Sequence, residues 1–182
     1  QVPPCRGARR PRNSRVSACP SRPPARRGCS WLHIAWVLWA LISVVTFWWW
    51  EFRLIEVHRW TFETYLFVIV YCATWFLLCA LLFPDDLREY GSYGNYLMQR
   101  RRWIFSVIAA LTLLDLIDTG IKGSSRWKLL GTAYPLHAVL MLAVAVLGGW
   151  LRSRRAQLRL VLATLAYQIG YFVVEYFTVG SD

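Results

Sequence analysis

An all-α integral membrane helix bundle of about five transmembrane helices is the fold class this sequence predicts, on three observations. Hydrophobic residues make up 57% of its 182 positions, and mean hydropathy is positive, both above the usual values for a soluble domain. The apolar residues gather into five runs, each near the ~20 residues that cross a ~30 Å hydrocarbon core at ~1.5 Å per residue. Sixteen of the 21 Lys and Arg stand in three blocks before or between those runs, as topology signals do.

Residues 1–29 carry eight Arg and six Pro with almost no large apolar side chain. Such a composition cannot bury enough surface to fold, so the tail reads as disordered. It lacks the ordered regions of a secretory signal and opens on Gln1, which suggests a truncated or misassigned start. The transmembrane domain then covers residues 30–182.

The first span, 31–50, contains no Lys, Arg, Asp or Glu and closes on Trp48, Trp49 and Trp50. His33, beside Trp31, reads as an interfacial histidine. A mixed-charge connection with Glu51, Arg53, Glu56, His58 and Arg59 leads to the second span, 62–83. Glu63 sits at its water boundary. Pro84 ends the span, because its ring fixes φ and removes a donor.

The connection from Pro84 to Arg102 places Tyr90, Tyr93 and Tyr96 three residues apart. That spacing predicts a short amphipathic segment lying on the membrane surface, while Gly91 and Gly94 weaken any long helix there. It lacks the phosphate-binding pattern Gly-x-x-x-x-Gly-Lys-Ser/Thr. The third span is 103–121. The fourth, about 131–151, has Pro135 in its first turn. A basic turn with Arg152, Arg154, Arg155 and Arg159 precedes and overlaps the fifth, about 157–179.

A net charge of +11 ordinarily suggests nucleic acid. Here the basic residues are spent on topology and no recognition module is present, so no nucleic-acid partner is expected. With the tail cytoplasmic, sixteen Lys and Arg lie inside and five outside; without the tail the count is eight against five. Both place the N-terminus in the cytoplasm and the C-terminus outside, in what is expected to be a cell inner membrane. The expected partners are the lipid bilayer and other chains within it, as a homo- or hetero-oligomer. The five cysteines have neither zinc spacing nor a compact disulfide pattern, and Cys72 and Cys79 read as small packing residues.

The sharpest functional lead is Asp115 with Asp118, three residues apart on one face of the third span. Carboxylates within a bilayer span are costly and therefore informative. The topology puts them roughly 5 to 10 Å inside the outer end, at ~1.5 Å per residue. His137 and Glu175 come to a similar depth from the fourth and fifth spans, and Glu51, Glu56, His58 and Glu63 belong to the same side. Tyr167, Gln168 and Tyr171 can add hydrogen-bonding groups. Asp115, Asp118, His137 and Glu175 form the candidate polar site.

Four roles are open to it: a divalent metal site, a proton or cation relay, a small catalytic centre, or interhelical packing through Lys122, Arg126 or one another. Asp118-Thr119-Gly120 spells the aspartic-protease tripeptide, but those enzymes need two touching copies in a β-rich setting, and this chain has one at a helix end. His-Glu-x-x-His and Gly-x-Ser-x-Gly are absent. No cofactor is expected.

The segments Phe47-Trp48-Trp49-Trp50-Glu51-Phe52-Arg53-Leu54, Trp60-Thr61-Phe62, Leu82-Phe83-Pro84-Asp85 and Arg101-Arg102-Trp103-Ile104-Phe105, with Asp115 and Asp118, carry a likeness. Over most of residues 31–179 the chain resembles a group of uncharacterised bacterial multi-pass membrane proteins. The resemblance implies that the tail replaces or interrupts a missing first helix, and it brings no established activity. The leading expectation is a transporter-like or accessory membrane subunit. The alternative is a membrane-embedded enzyme or metal-binding protein with an outer-leaflet carboxylate and histidine site.

Overall fold

A computed structural model describes residues 30–52, 61–84, 87, 89–123, 128 and 130–179, with side chains as far as residue 174. Residues 1–29, the connection with Glu56 and His58, Arg126 and the Glu175 side chain lie outside the described residues. The described chain is all-helical: α1 (Trp31–Glu51), α2 (Phe62–Leu82), α3 (Tyr93–Ile121), α4 (Ala133–Trp150) and α5 (Arg154–Val179). All five are long and apolar enough to cross a membrane.

Local chemistry sets the helix starts. The Thr61 hydroxyl accepts from the Thr64 backbone N–H at 3.3 Å to open α2, and the Ser92 hydroxyl accepts from that of Asn95 at 3.3 Å to open α3. Gly91 precedes that cap at φ +70°, a left-handed turn that a side chain would strain. Pro135 lies in the first turn of α4, where its missing N–H breaks no helical bond.

α3 begins ten residues before the apolar run at Trp103. Its 29 residues span about 43 Å at ~1.5 Å each, longer than the ~30 Å hydrocarbon core. Tyr93 and Tyr96 thus stand in the first turns of a long helix, with Tyr90 in the turn before its cap, rather than in a separate short segment. These tyrosines turn onto neighbours. Tyr96 donates to the Leu81 carbonyl at 2.9 Å, and Tyr93 stacks on His33 at 4.5 Å between centroids. His33 itself is 7% exposed, and its Nε2 lies 2.8 Å from the Leu82 carbonyl. The expected interfacial histidine is instead a buried tie between α1 and the end of α2.

One device recurs at the helix ends. The last carbonyls of a helix have no donor within the helix, and here side chains from other segments supply donors. Tyr96 and His33 serve α2. Gln157 Nε2 donates to the carbonyls of Gly148 (2.5 Å) and Leu151 (3.2 Å) at the end of α4, and Arg101 donates to Gly149 at 3.3 Å. Lys122 donates to the Trp50 carbonyl of α1 at 3.4 Å.

α3 packs most extensively on α4, α1 on α5, and α2 on α3, with α1 also touching α2 and α3. The α3–α4 contact is close at Gly148. A Cβ there would stand 2.1 Å from the Phe105 ring, so only glycine lets the ring lie against the backbone. Trp36 meets the same ring edge-on at 4.9 Å. Half of the α1 span is buried, against 17% of α2; α1 is central and α2 presents most of its surface outward.

Candidate functional site

Asp115, Asp118 and Lys122 follow one another at i, i+3 and i+7 in the last turns of α3, so one helix face carries all three. Lys122 caps the helix, where the negative end of the dipole favours a cation. Its Nζ lies 2.5 Å from Asp118 Oδ2 and 3.2 Å from Glu51 Oε1. With the bond to the Trp50 carbonyl, this ammonium fastens the end of α1 to the end of α3. The side chains are 5–7% exposed. They form a buried network rather than a surface pair.

Asp115 is held differently. Tyr71 of α2 donates to its Oδ1 at 3.3 Å, and Tyr134 of α4 lies 2.8 Å from Oδ2 and 2.9 Å from the Asp115 backbone carbonyl. Thr119 donates to the Tyr134 hydroxyl at 2.8 Å. Asp115 therefore joins three helices through hydroxyl groups, while Asp118 pairs within α3 with Lys122, which makes the link to Glu51 of α1. The fourth and fifth helices meet at His137, whose Nδ1 is 3.0 Å from the Tyr167 hydroxyl. Its ring stacks on Tyr171 at 4.3 Å.

These groups border a cavity of about 120 Å³, which Asp115, Asp118, Lys122 and His137 all line. The rest of the wall is largely aromatic and apolar, with Trp39, Phe47, Trp75, Ile108, Met141 and Phe172. From Lys122 to Ile108 the cavity follows α3 for fourteen residues, or about 21 Å at ~1.5 Å each. It runs from a charged rim at one end of the bundle toward its middle.

Of the three carboxylates Glu51, Asp115 and Asp118, Lys122 pairs with Glu51 and Asp118, while Asp115 accepts from the Tyr71 and Tyr134 hydroxyls. The indole N–H groups of Trp39 and Trp75 and the hydroxyl of Ser43, all on cavity-lining residues, have no hydrogen-bond partner among the described residues, and neither does Glu51 Oε2 beside Lys122. Native proteins leave few buried polar atoms unpaired, and a cluster of them beside a cavity marks where a ligand or water belongs. Thr46 and Thr112, also in the wall, spend their hydroxyl hydrogens on backbone carbonyls one turn back, at 2.9 and 3.1 Å.

The structure thus brings Asp115, Asp118 and His137 to one cavity; the Glu175 side chain lies outside the described residues. Sequence reasoning set Glu51 on the right side but left it in a connection. Its signal was its position directly after the last Trp of the first span, level with Lys122. Nothing in the sequence marked Tyr71, whose role follows only from the α2–α3 packing. Among the described residues no group of three or more His, Cys, Asp or Glu is placed to hold a metal ion. Asp118 and Thr119 of the protease-like tripeptide are engaged by Lys122 and Tyr134. The chain matches no protein family, no curated protein and no solved structure.

Proposed function

We propose that this chain is a small transporter-like protein of a bacterial inner membrane, with its N-terminus in the cytoplasm and its C-terminus outside, whose cavity accepts a cation in the outer half of the bilayer. The observation that carries this reading is the charge balance. Asp115 accepts from the Tyr71 and Tyr134 hydroxyls and pairs with no cationic side chain among the described residues, at a depth where a carboxylate without a counter-ion is costly. A cation drawn into the cavity, protons included, offsets that cost. The aromatic wall behind the carboxylates makes the cavity a place where such a cation is held rather than merely neutralised.

Two experiments test it. Reporters fused after Asp182 and within residues 84–102 should report opposite sides of the membrane; the same side for both overturns the topology. Protein reconstituted in nanodiscs should respond to protons, sodium, calcium or tetramethylammonium, followed by heat of binding and tryptophan fluorescence. Asp115→Asn should weaken the response. Silence toward all four overturns the cation reading.

A further inference from the structure

The chemistry of the cavity narrows the cation that the proposed function calls for, and the inference rests on that reading. We infer that the ligand is a small organic ammonium ion carrying a hydrogen-bond acceptor. Its cationic end lies toward Asp115 and its acceptor toward Trp39, Trp75 and Ser43.

Three features point the same way. The first is the aromatic wall. Phe47 packs against Tyr71 at 4.7 Å and Trp75 at 5.9 Å between centroids, and Trp39, Phe47, Tyr71 and Trp75 all line the cavity. Aromatic faces beside a carboxylate attract quaternary ammonium groups, whose diffuse charge is easily stripped of water. The second is the shortage of oxygen ligands. A hard inorganic cation asks for about six or more oxygens. Asp115 already accepts from two tyrosines, and Asp118 Oδ2 is taken by Lys122. A quaternary ammonium asks for no oxygen ligands: the charge of a nearby carboxylate and aromatic faces are enough to hold it.

The third feature is the set of unpartnered donors. Trp39 is 3% exposed and Ser43 6%, yet the indole N–H and the hydroxyl have no partner among the described residues, and the same holds for the Trp75 N–H. Neither a bare metal cation nor a hydrocarbon supplies an acceptor to an N–H group. A molecule with an ammonium at one end and a hydroxyl or carbonyl oxygen at the other answers both halves of the cavity. The volume of about 120 Å³ is several times the ~10–15 Å³ that holds one water, room for a molecule of several heavy atoms.

Equilibrium binding of radiolabelled choline to the full chain in nanodiscs tests the inference, with competition by tetramethylammonium, by 3,3-dimethylbutan-1-ol (the uncharged carbon isostere of choline) and by sodium. Choline should bind, the neutral isostere should compete on the order of tenfold or more weakly, and sodium should not compete. Trp75→Phe keeps an aromatic face and removes the N–H. It should weaken choline severalfold while leaving competition by tetramethylammonium unchanged, and Ser43→Ala should do the same in smaller measure. Equal competition by the neutral isostere overturns the inference, and so does a wild-type protein that ignores choline. If sodium, calcium or protons still produce a response, the ammonium inference falls alone and the cation reading stands. Silence toward every cation overturns both.

Discussion

Replacing Lys122 by Met removes the ammonium and keeps most of the side chain's bulk, so the loss of stability isolates the charge. Exposed ion pairs contribute ~0–1 kcal/mol because water and salt screen them. The Lys122 contacts are 5–7% exposed and meet two carboxylates at 2.5 and 3.2 Å, so screening is slight and the buried case applies. Removing one partner of a buried pair costs about 3–5 kcal/mol, chiefly because the other charge is left uncompensated. At 1.36 kcal/mol per decade that is roughly 10²- to 10⁴-fold in the folding equilibrium. The assay is reversible unfolding in mixed micelles of increasing denaturing-detergent fraction, followed by circular dichroism. A triple variant, Lys122→Met with Glu51→Gln and Asp118→Asn, should regain most of the loss, because neutralising both carboxylates removes the uncompensated charge. A deficit of about 0.3–1 kcal/mol should remain, since the cation at the C-terminus of α3 is still missing. A cost below ~1 kcal/mol for the single variant, or a triple variant no more stable than the single, refutes the buried-network reasoning.

The other expectations concern the packing that holds the cavity open, and the same unfolding titration checks each. Gly148→Ala places a methyl group 2.1 Å from the Phe105 ring, and such overpacking costs about 1–3 kcal/mol, partly offset by the ~1 kcal/mol helix preference of Ala; Phe105→Leu in the same chain should relieve it. His33→Leu leaves the Leu82 carbonyl without its side-chain donor and should cost about 1–3 kcal/mol. Gln157→Leu is close in volume but strands the Gly148 and Leu151 carbonyls and should cost a similar amount. A neutral or stabilising result for either of the last two would mean that those carbonyls find other donors.

The five helices were legible because a bilayer imposes a length and an apolar composition that few other contexts demand. The start of α3 was not. Arg100, Arg101 and Arg102 interrupt the apolar run, and hydropathy reads that interruption as an end. Helix formation asks only that the backbone be capped and the side chains have somewhere to go. Ser92 provides the cap, Arg101 reaches the Met98 and Gly149 carbonyls, and Arg100 donates to the Tyr90 hydroxyl. Composition marks where lipid contact stops, and capping marks where the helix stops.

The candidate site divides in the same way. Asp115, Asp118 and Lys122 share a face of one helix, and spacing alone reveals that. Glu51 and Tyr71 come from other helices, 71 and 44 residues away from their partners. A soluble helix announces its inner face by an apolar stripe, but a helix between lipid and protein is apolar all round, so periodicity does not say which face meets which neighbour. In α1 the buried Trp36 and Trp39 alternate with exposed Leu38 and Leu41, and nothing in their hydrophobicity separates them. What does separate them is polarity. Ser43, Thr46 and Glu51 are the buried polar residues in the C-terminal half of α1, and two of them line the cavity. In a span of this kind the few hydroxyl and carboxyl groups are the better guide to the interior, because lipid offers them no partner and protein does. The same rule directs attention to Thr112 and Thr119 on α3, which point to the face that carries Asp115.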